Sequence, residues 1–151
     1  MTPERAAAEA ALTALLADHS DLASRRLDED RWLLVLEGEV RQRIPVLVEL
    51  GRRTCTLSSF LLRGPRAGAA RLHEVLLRKN LATSRLRFAL DGDGDVVLIA
   101  RIALASTTVA ELENVLGEIH SLGESGFEGL VHIGYPGVFP PLRRSPPHTA
   151  N

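Results

Sequence analysis

Apolar positions follow a helical period through the first residues of the chain and switch to a strand period near Arg31. Leu12, Leu15, Leu16, His19 and Leu22 fall on one stripe at helical spacing. The alanines around them favour helix, and Pro3 suits a first turn. The pattern predicts a helix from Pro3 to Arg26. Arg31 to Leu36 then reads as a strand, turned at Gly38 to Arg41. Arg43 to Leu50 returns, Gly51-Arg52 turns the chain again, and Thr54 to Leu62 supplies a third strand. Tight connections between such runs predict an antiparallel meander. Pro45 lacks an N–H, so its strand is expected to be an edge there, or to start there.

Gly64-Pro65 breaks the sheet. Leu72, Val75 and Leu76 share one face of a short helix over Ala67 to Lys79, with Asn80 as its expected C-cap. Arg85 to Leu90 and Val96 to Ile102 form a hairpin around Asp91-Gly92-Asp93-Gly94-Asp95. A last helix begins near Thr107 or Thr108, where Thr108 and Glu111 have capping-box spacing. Its stripe is Val109, Leu112, Val115, Leu116, Ile119 and Leu122. Five of the eight prolines lie between Pro136 and Pro147. The expected organisation is one domain over residues 1–134 and a proline-rich, disordered tail over residues 135–151. The order α-β-β-β-α-β-β-α, with strands in runs, defines an α+β fold: a five-stranded antiparallel sheet with flanking helices.

The first two strands are apolar on both faces. Trp32, Leu34 and Leu36 point one way, Leu33 and Val35 the other; Val46, Val48 and Leu50 oppose Leu47 in the same manner. A one-sided antiparallel sheet shows polar residues outward. Both faces therefore need a cover, which a helix, the tail or a partner chain would supply, and apolar surface left bare would mark an interaction site.

Composition narrows the classes. The chain has 151 residues, 45% hydrophobic and 25% charged, with 18 Lys plus Arg against 19 Asp plus Glu and a net charge of −1. That balance argues against a nucleic-acid binder, which works through a basic field. Lys79 is the only lysine, and arginine in its place, with many alanines, fits a GC-rich bacterial genome. Glu4 and Glu9 interrupt the stretch where a signal peptide would need an apolar run, and Val96 to Ala100 is closed at once by Arg101. A cytoplasmic protein with no membrane role is expected.

Candidate chemistry is sparse. Asp91, Asp93 and Asp95 invite a calcium loop, but an EF-hand starting at Asp91 would need Gly and a carboxylate where Val96 and Ile102 stand, so a turn is expected and no metal. Cys55, alone in the chain, lies inside a predicted strand and reads as a small buried residue. His19, His73, His120, His132 and His148 show no helical ligand pair. Ser58-Ser59 lacks a nucleophile elbow, and no glycine-rich phosphate loop occurs. The arginines fall in local groups, Arg41 with Arg43, Arg52 with Arg53, and Arg85 with Arg87 and Arg101, which parity allows on one face of the last hairpin. No catalytic residue and no cofactor is indicated.

Several strings carry a resemblance. Trp32 to Gly38, Arg53 to Arg63, Leu76-Leu77-Arg78-Lys79-Asn80 and Arg87 to Val96 resemble the YbjN family of bacterial sensory transduction regulators, over about Leu12 to Ile133. The resemblance implies a fold like that of type III secretion chaperones, often homodimeric, which act by binding other polypeptides without a catalytic centre. The expected function is a non-enzymatic protein-interaction module, chaperone-like or regulatory, with an unknown protein partner. Leu33, Val35, Leu47 and Phe60 are the candidate partner-binding residues, and Trp32 is expected in the core. The alternative is a small-molecule-binding regulator or an enzyme with Cys55 or a histidine in a pocket.

Overall fold

The computed structural model describes residues 1–65 and 67–135. Pro3–Asp18 forms helix α1, capped by Thr2, whose hydroxyl accepts the Arg5 N–H at 3.1 Å. Its stripe buries Ala8, Leu12 and Leu15. The helix does not continue to Arg26 as the periodicity predicts. His19 closes it, its N–H donating to the Leu15 carbonyl at 3.0 Å. Asp18, Ser20 and Asp21 are weak helix formers, and Leu22 meets the core from the turn instead of from the helix.

Ala23–Arg26 becomes strand β1, so the sheet has six strands and not five. Two contacts hold this short edge strand. The Arg26 guanidinium lies 4.6 Å from the centroid of the Trp32 ring and 3.0 Å from the Glu9 carboxylate of α1.

The remaining elements are β2 (Arg31–Glu37), β3 (Arg43–Leu50), β4 (Thr54–Leu62), α2 (Ala69–Asn80), β5 (Arg87–Leu90), β6 (Val96–Ala103), a 3₁₀ turn at Leu104–Ser106, α3 (Val109–Ser125) and α4 (Phe127–Gly134). The strands order as β1-β2-β3-β4-β6-β5, each pair antiparallel. The architecture is the α+β fold with an antiparallel sheet and flanking helices that the sequence predicts. Thr108 caps α3 as expected, accepting the Glu111 N–H at 3.1 Å.

Asn80 is the last residue of α2, and its side chain does not serve as a cap. Its amide accepts the Phe88 N–H at 2.7 Å and donates to the Phe88 carbonyl at 3.0 Å. It thereby takes the place of a strand partner at the edge of β5. Tyr135, expected in the tail, is docked: its hydroxyl lies 2.8 Å from the carbonyls of Arg63 and Gly64. The rest of the expected tail, 136–151, lies outside the described residues.

Alternation along the strands fixes one face of the sheet as the core. Trp32, Leu34, Ile44, Val46, Val48, Leu50, Cys55 and Leu57 pack with α1 and α3 in one cluster. Leu61, Leu62, Phe88, Val96 and Leu98 pack with α2 and α4 in a second. Both clusters lie on the same face, because Leu57 opposes Ala100 and Leu98 opposes Phe88 in register. Two irregularities adjust it. The described β3–β4 pairing begins only at Leu47, so Pro45 has a ladder partner in β2 alone, and the buried Ser59 hydroxyl donates to the Pro45 carbonyl at 2.7 Å. A bulge between Phe60 and Leu62 puts both Leu61 and Leu62 in the core and leaves Phe60 outward, 43% exposed.

The β2–β3 loop is tied to α3 by one carboxylate. Glu124 accepts the Val40 N–H at 2.9 Å and the Arg41 N–H at 3.2 Å, and a Cβ at Gly38 would collide with it. Burial pushes the Glu124 carboxyl up, but the backbone N–H groups of Arg41, Val40 and Glu39 together with His120 hold it below its ordinary value of 4.5. A carboxyl held low in the folded state adds stability that is full above 4.5 and is lost as pH falls through the lowered value. Thermal melts of Glu124→Gln should therefore lie below those of the native chain at neutral pH, and the two should converge in acid. Urea denaturation should separate the two faces. Leu34→Ala, fully buried, should cost about 2–5 kcal/mol. Leu33→Ala, half-buried on the other face, should cost about 1 kcal/mol or less.

Candidate functional surface

The four helices pack on the core face, and among the described residues no helix covers the other. Leu33, Val35, Pro45, Leu47, Val97 and Ile99 are half-buried, and none of them belongs to either core cluster. Register makes them one patch. Leu33 stands opposite Leu47, Leu47 opposite Ser58 and Ser58 opposite Ile99. In the adjoining row Val35 stands opposite Pro45, and Phe60 opposite Val97. All four residues expected from the sequence thus lie on one open face, and Trp32 is buried in the core as expected. Pro45, Val97 and Ile99 extend the patch. The signal for the last two was present in Val96-Val97-Leu98-Ile99-Ala100, a run apolar at both parities.

The two edges of this sheet differ. At β5, Asn80 occupies both backbone groups of Phe88, and α2 packs alongside. At the opposite edge β1 is four residues long, exposed throughout, and flanked by no further described strand.

An open cleft of about 460 Å³ lies between the end of α1, β2 and α3, with Val35 among its lining residues. Its apolar floor includes Leu22, Leu36 and Leu116. Its histidines are occupied by structural partners: His19 Nε2 lies 2.9 Å from a Glu113 carboxylate oxygen, and His120 Nε2 lies 3.0 Å from the Glu37 carbonyl. Neither Cys55 nor a serine is among the residues lining it. Cys55 itself is fully buried in the core, and burial pushes its thiol up to about 11, the reverse of what a nucleophile needs.

The acidic hairpin is held by its own hydrogen bonds. Asp91 Oδ1 accepts the N–H groups of Asp93 and Asp95 at 2.9 and 3.0 Å, Asp95 Oδ1 accepts the Gly64 N–H at 2.7 Å, and Gly94 takes φ +81°. One ligand oxygen from each of the three aspartates lies within 4.8 Å of the others. The arginine groups separate. Arg41 is tucked in, its Nη2 donating to the Phe60 carbonyl at 2.8 Å and its guanidinium 5.1 Å from the Phe127 ring. Arg43 is exposed on the outer face. Arg85 pairs with Glu111 of α3, while Arg87 and Arg101 stay on the outer face. None of the described helices is long and apolar enough to cross a membrane.

The fold resembles that of chains in solved type III secretion complexes. A chain of the heterodimeric ExoU–SpcU complex of Pseudomonas aeruginosa matches with a TM-score of 0.56 at 20% identity, over 82% of this chain and 97% of that one. The Yersinia pestis type III secretion chaperone SycH in complex with a stable fragment of YscM2 matches with 0.54 at 18%, over 77% and 96%. A chain of the ExsC–ExsE complex gives 0.53 at 22%, over 79% and 92%. At these identities the likeness is one of fold.

The sequence itself matches the model of the Tir chaperone protein (CesT) family over residues 12–120, and the chain belongs to that family. The YbjN resemblance falls within the same superfamily. Among curated relatives, the uncharacterized protein ML2442 of Mycobacterium leprae is 29% identical over 105 residues, 70% of this chain and 57% of its own length. The uncharacterized protein Rv0487 of Mycobacterium tuberculosis is 26% identical over 103 residues, 68% and 56%. The chain therefore spans little more than half the length of these relatives.

The hairpin geometry yields a direct expectation. With Asp91 Oδ1 and Asp95 Oδ1 already holding backbone N–H groups, the turn should not depend on calcium, and thermal melts in calcium and in chelator should superimpose. A calcium-dependent rise in melting temperature would show an ion bound to the folded state.

Proposed function

We propose that the chain is a non-enzymatic protein-interaction module, chaperone-like or regulatory, that binds a partner polypeptide on the outer face of its sheet. One observation carries this: Leu33, Val35, Pro45, Leu47, Phe60, Val97 and Ile99 share one face of the sheet across neighbouring strands, broken only by Ser58 between Leu47 and Ile99, with every described helix on the opposite face. Membership of a chaperone family and the partner-bound state of the structural neighbours support it. The absence of a membrane-spanning helix among the described residues fits a cytoplasmic setting.

Self-association belongs to the same proposal, on a different surface. Leu77 on α2 and Leu81 just past its end are 71% and 93% exposed, with Glu74 and Arg78 of the helix beside them. Two copies crossing about a twofold axis would bury the leucines and exchange the Glu74–Arg78 pairing. The outer sheet face then stays free for the partner.

Affinity capture from the native lysate, repeated with Leu33→Asp and Leu47→Asp, tests the reading. A reproducible protein partner lost in both variants, with the melting curve retained, is the expected result. Capture unchanged by either substitution would remove the outer face from the mechanism. A co-purifying metabolite and no protein would favour a small-molecule regulator using the cleft beside α1. Sedimentation should show a dimer that Leu77→Asp dissociates.

A further inference from the structure

The outer face carries charge as well as apolar surface, and the charge has one sign in excess. By register and parity it holds Arg25, Arg31, Arg43, Arg87 and Arg101. It holds two carboxylates, Glu37 and Glu49, and each stands directly opposite an arginine: Glu37 opposite Arg43, Glu49 opposite Arg31. Arg31 is also paired with Asp28 at 2.8 Å. Three arginines are left over. Arg25 and Arg101 have no carboxylate partner among the described residues, and Arg87 is steadied by the uncharged Thr83 hydroxyl at 2.9 Å. Five arginines minus two glutamates give +3 over the strand positions, and Asp28, held by Arg31 from the β1–β2 turn, brings the face to +2, in a chain whose net charge is −1.

The excess charges are placed with respect to the apolar patch. Arg25 and Arg87 close the two ends of one cross-strand row, Arg25–Leu33–Leu47–Ser58–Ile99–Arg87, and Arg101 lies one step from Ile99 on the same face. Five inter-strand steps separate Arg25 from Arg87, about 24 Å at the usual strand spacing. Arginine suits this position, since its fork binds a carboxylate through two N–H groups and its planar head tolerates partial desolvation.

Building on the chaperone-like reading above, we infer that the occupant of this face is a polypeptide segment with an apolar centre bracketed by aspartate or glutamate. The apolar side chains would lie over Leu33, Leu47 and Ile99, and the carboxylates would meet Arg25 and Arg87 at the rims. An anionic membrane carries the same charge, but it fits less well. The patch is flat, only Phe60 among its apolar residues is more than about a third exposed, and nothing protrudes far enough to enter a bilayer. Attraction between such rims and their partner sets specificity and on-rate, and salt should weaken it.

A random peptide library displayed on phage and panned against the full chain at low salt tests this. Selected peptides should carry apolar residues with Asp and Glu outnumbering Lys and Arg. A synthetic peptide from the selection should bind about tenfold or more weakly to the Arg25→Glu, Arg87→Glu, Arg101→Glu triple variant. The matching Arg→Gln triple should show a smaller loss and serves if the first variant is unstable. Leu33→Asp with Leu47→Asp should abolish binding. Peptides that depend on Leu33 and Leu47 but are neutral or basic, or that bind the arginine variants unchanged, would overturn the acidic preference and leave the chaperone-like reading standing. No selected peptide depending on Leu33 and Leu47 would overturn both. Sedimentation of the protein with phosphatidylserine vesicles, reversed by the same arginine substitutions, in the absence of acidic peptides from the selection, would assign the face to a membrane.

Discussion

Three strands of this sheet, β2, β3 and β6, are apolar at both parities and so need cover on two faces, and this chain's described helices cover one. Helices α1, α2, α3 and α4 all pack on the face that holds Leu34, Val46, Leu57 and Leu98. The order of the strands makes this possible. The first helix precedes the meander, the last pair follows the final hairpin, and α2 crosses between β4 and β5 without passing to the other face. What remains is a patch only partly removed from water on folding, which would lose more on binding. The usual figure of about 25 cal/mol per Å² of apolar surface makes such a patch costly to leave bare and favourable to fill.

The sheet's ends show that exposed backbone is handled selectively. An edge strand offers free N–H and C=O groups to any extended chain. At β5 the chain closes its own edge, with one amide side chain meeting both polar groups of Phe88. The substitution of a side-chain amide for a strand explains why an asparagine ends α2 at that point, facing the hairpin. Among the described residues nothing comparable flanks β1, where Arg26 is turned inward onto Trp32 and Glu9. The molecule is thus shielded at one edge and accessible at the other, on the side where Leu33 and Val35 begin the open patch.

Much of this was legible in the sequence, for a definite reason. Strands β2, β3 and β4 announce themselves through β-branched and leucine-rich runs between glycine turns, and the Thr108–Glu111 cap marks the start of α3. The parity argument that singled out Leu33, Val35 and Leu47 needs only the period of a strand, so it carried over to the structure without change. The failures have equally local causes. Leu22 continues the helical stripe of α1 by spacing, yet it reaches the core from a turn, so periodicity alone extends the helix through β1. Residues Phe127–Gly134 form α4, which was not foreseen, because a break at Gly126 and the proline-rich composition that follows mask its apolar face. The burial of Leu62 beside Leu61 depends on a bulge that no pattern of period two encodes.

Charge gives the last step. The net charge of −1 argues against a basic field for the chain as a whole, and the fold divides that charge unevenly. With +2 on the outer face once Asp28 is counted, the remaining residues carry −3. Acids on the helical side are drawn into pairs and caps: Glu9 with Arg26, Glu111 with Arg85, Glu113 with His19, Glu124 with the β2–β3 loop. Those contacts fix helices to the sheet. Arg25 and Arg101 make no such contact among the described residues, and Arg87 donates to the Thr83 hydroxyl and the Ser84 and Leu86 carbonyls but meets no carboxylate. Ionic groups that hold the fold together are therefore separated, face from face, from ionic groups available to a second molecule. A whole-chain average cannot distinguish the two, whereas register along six strands does.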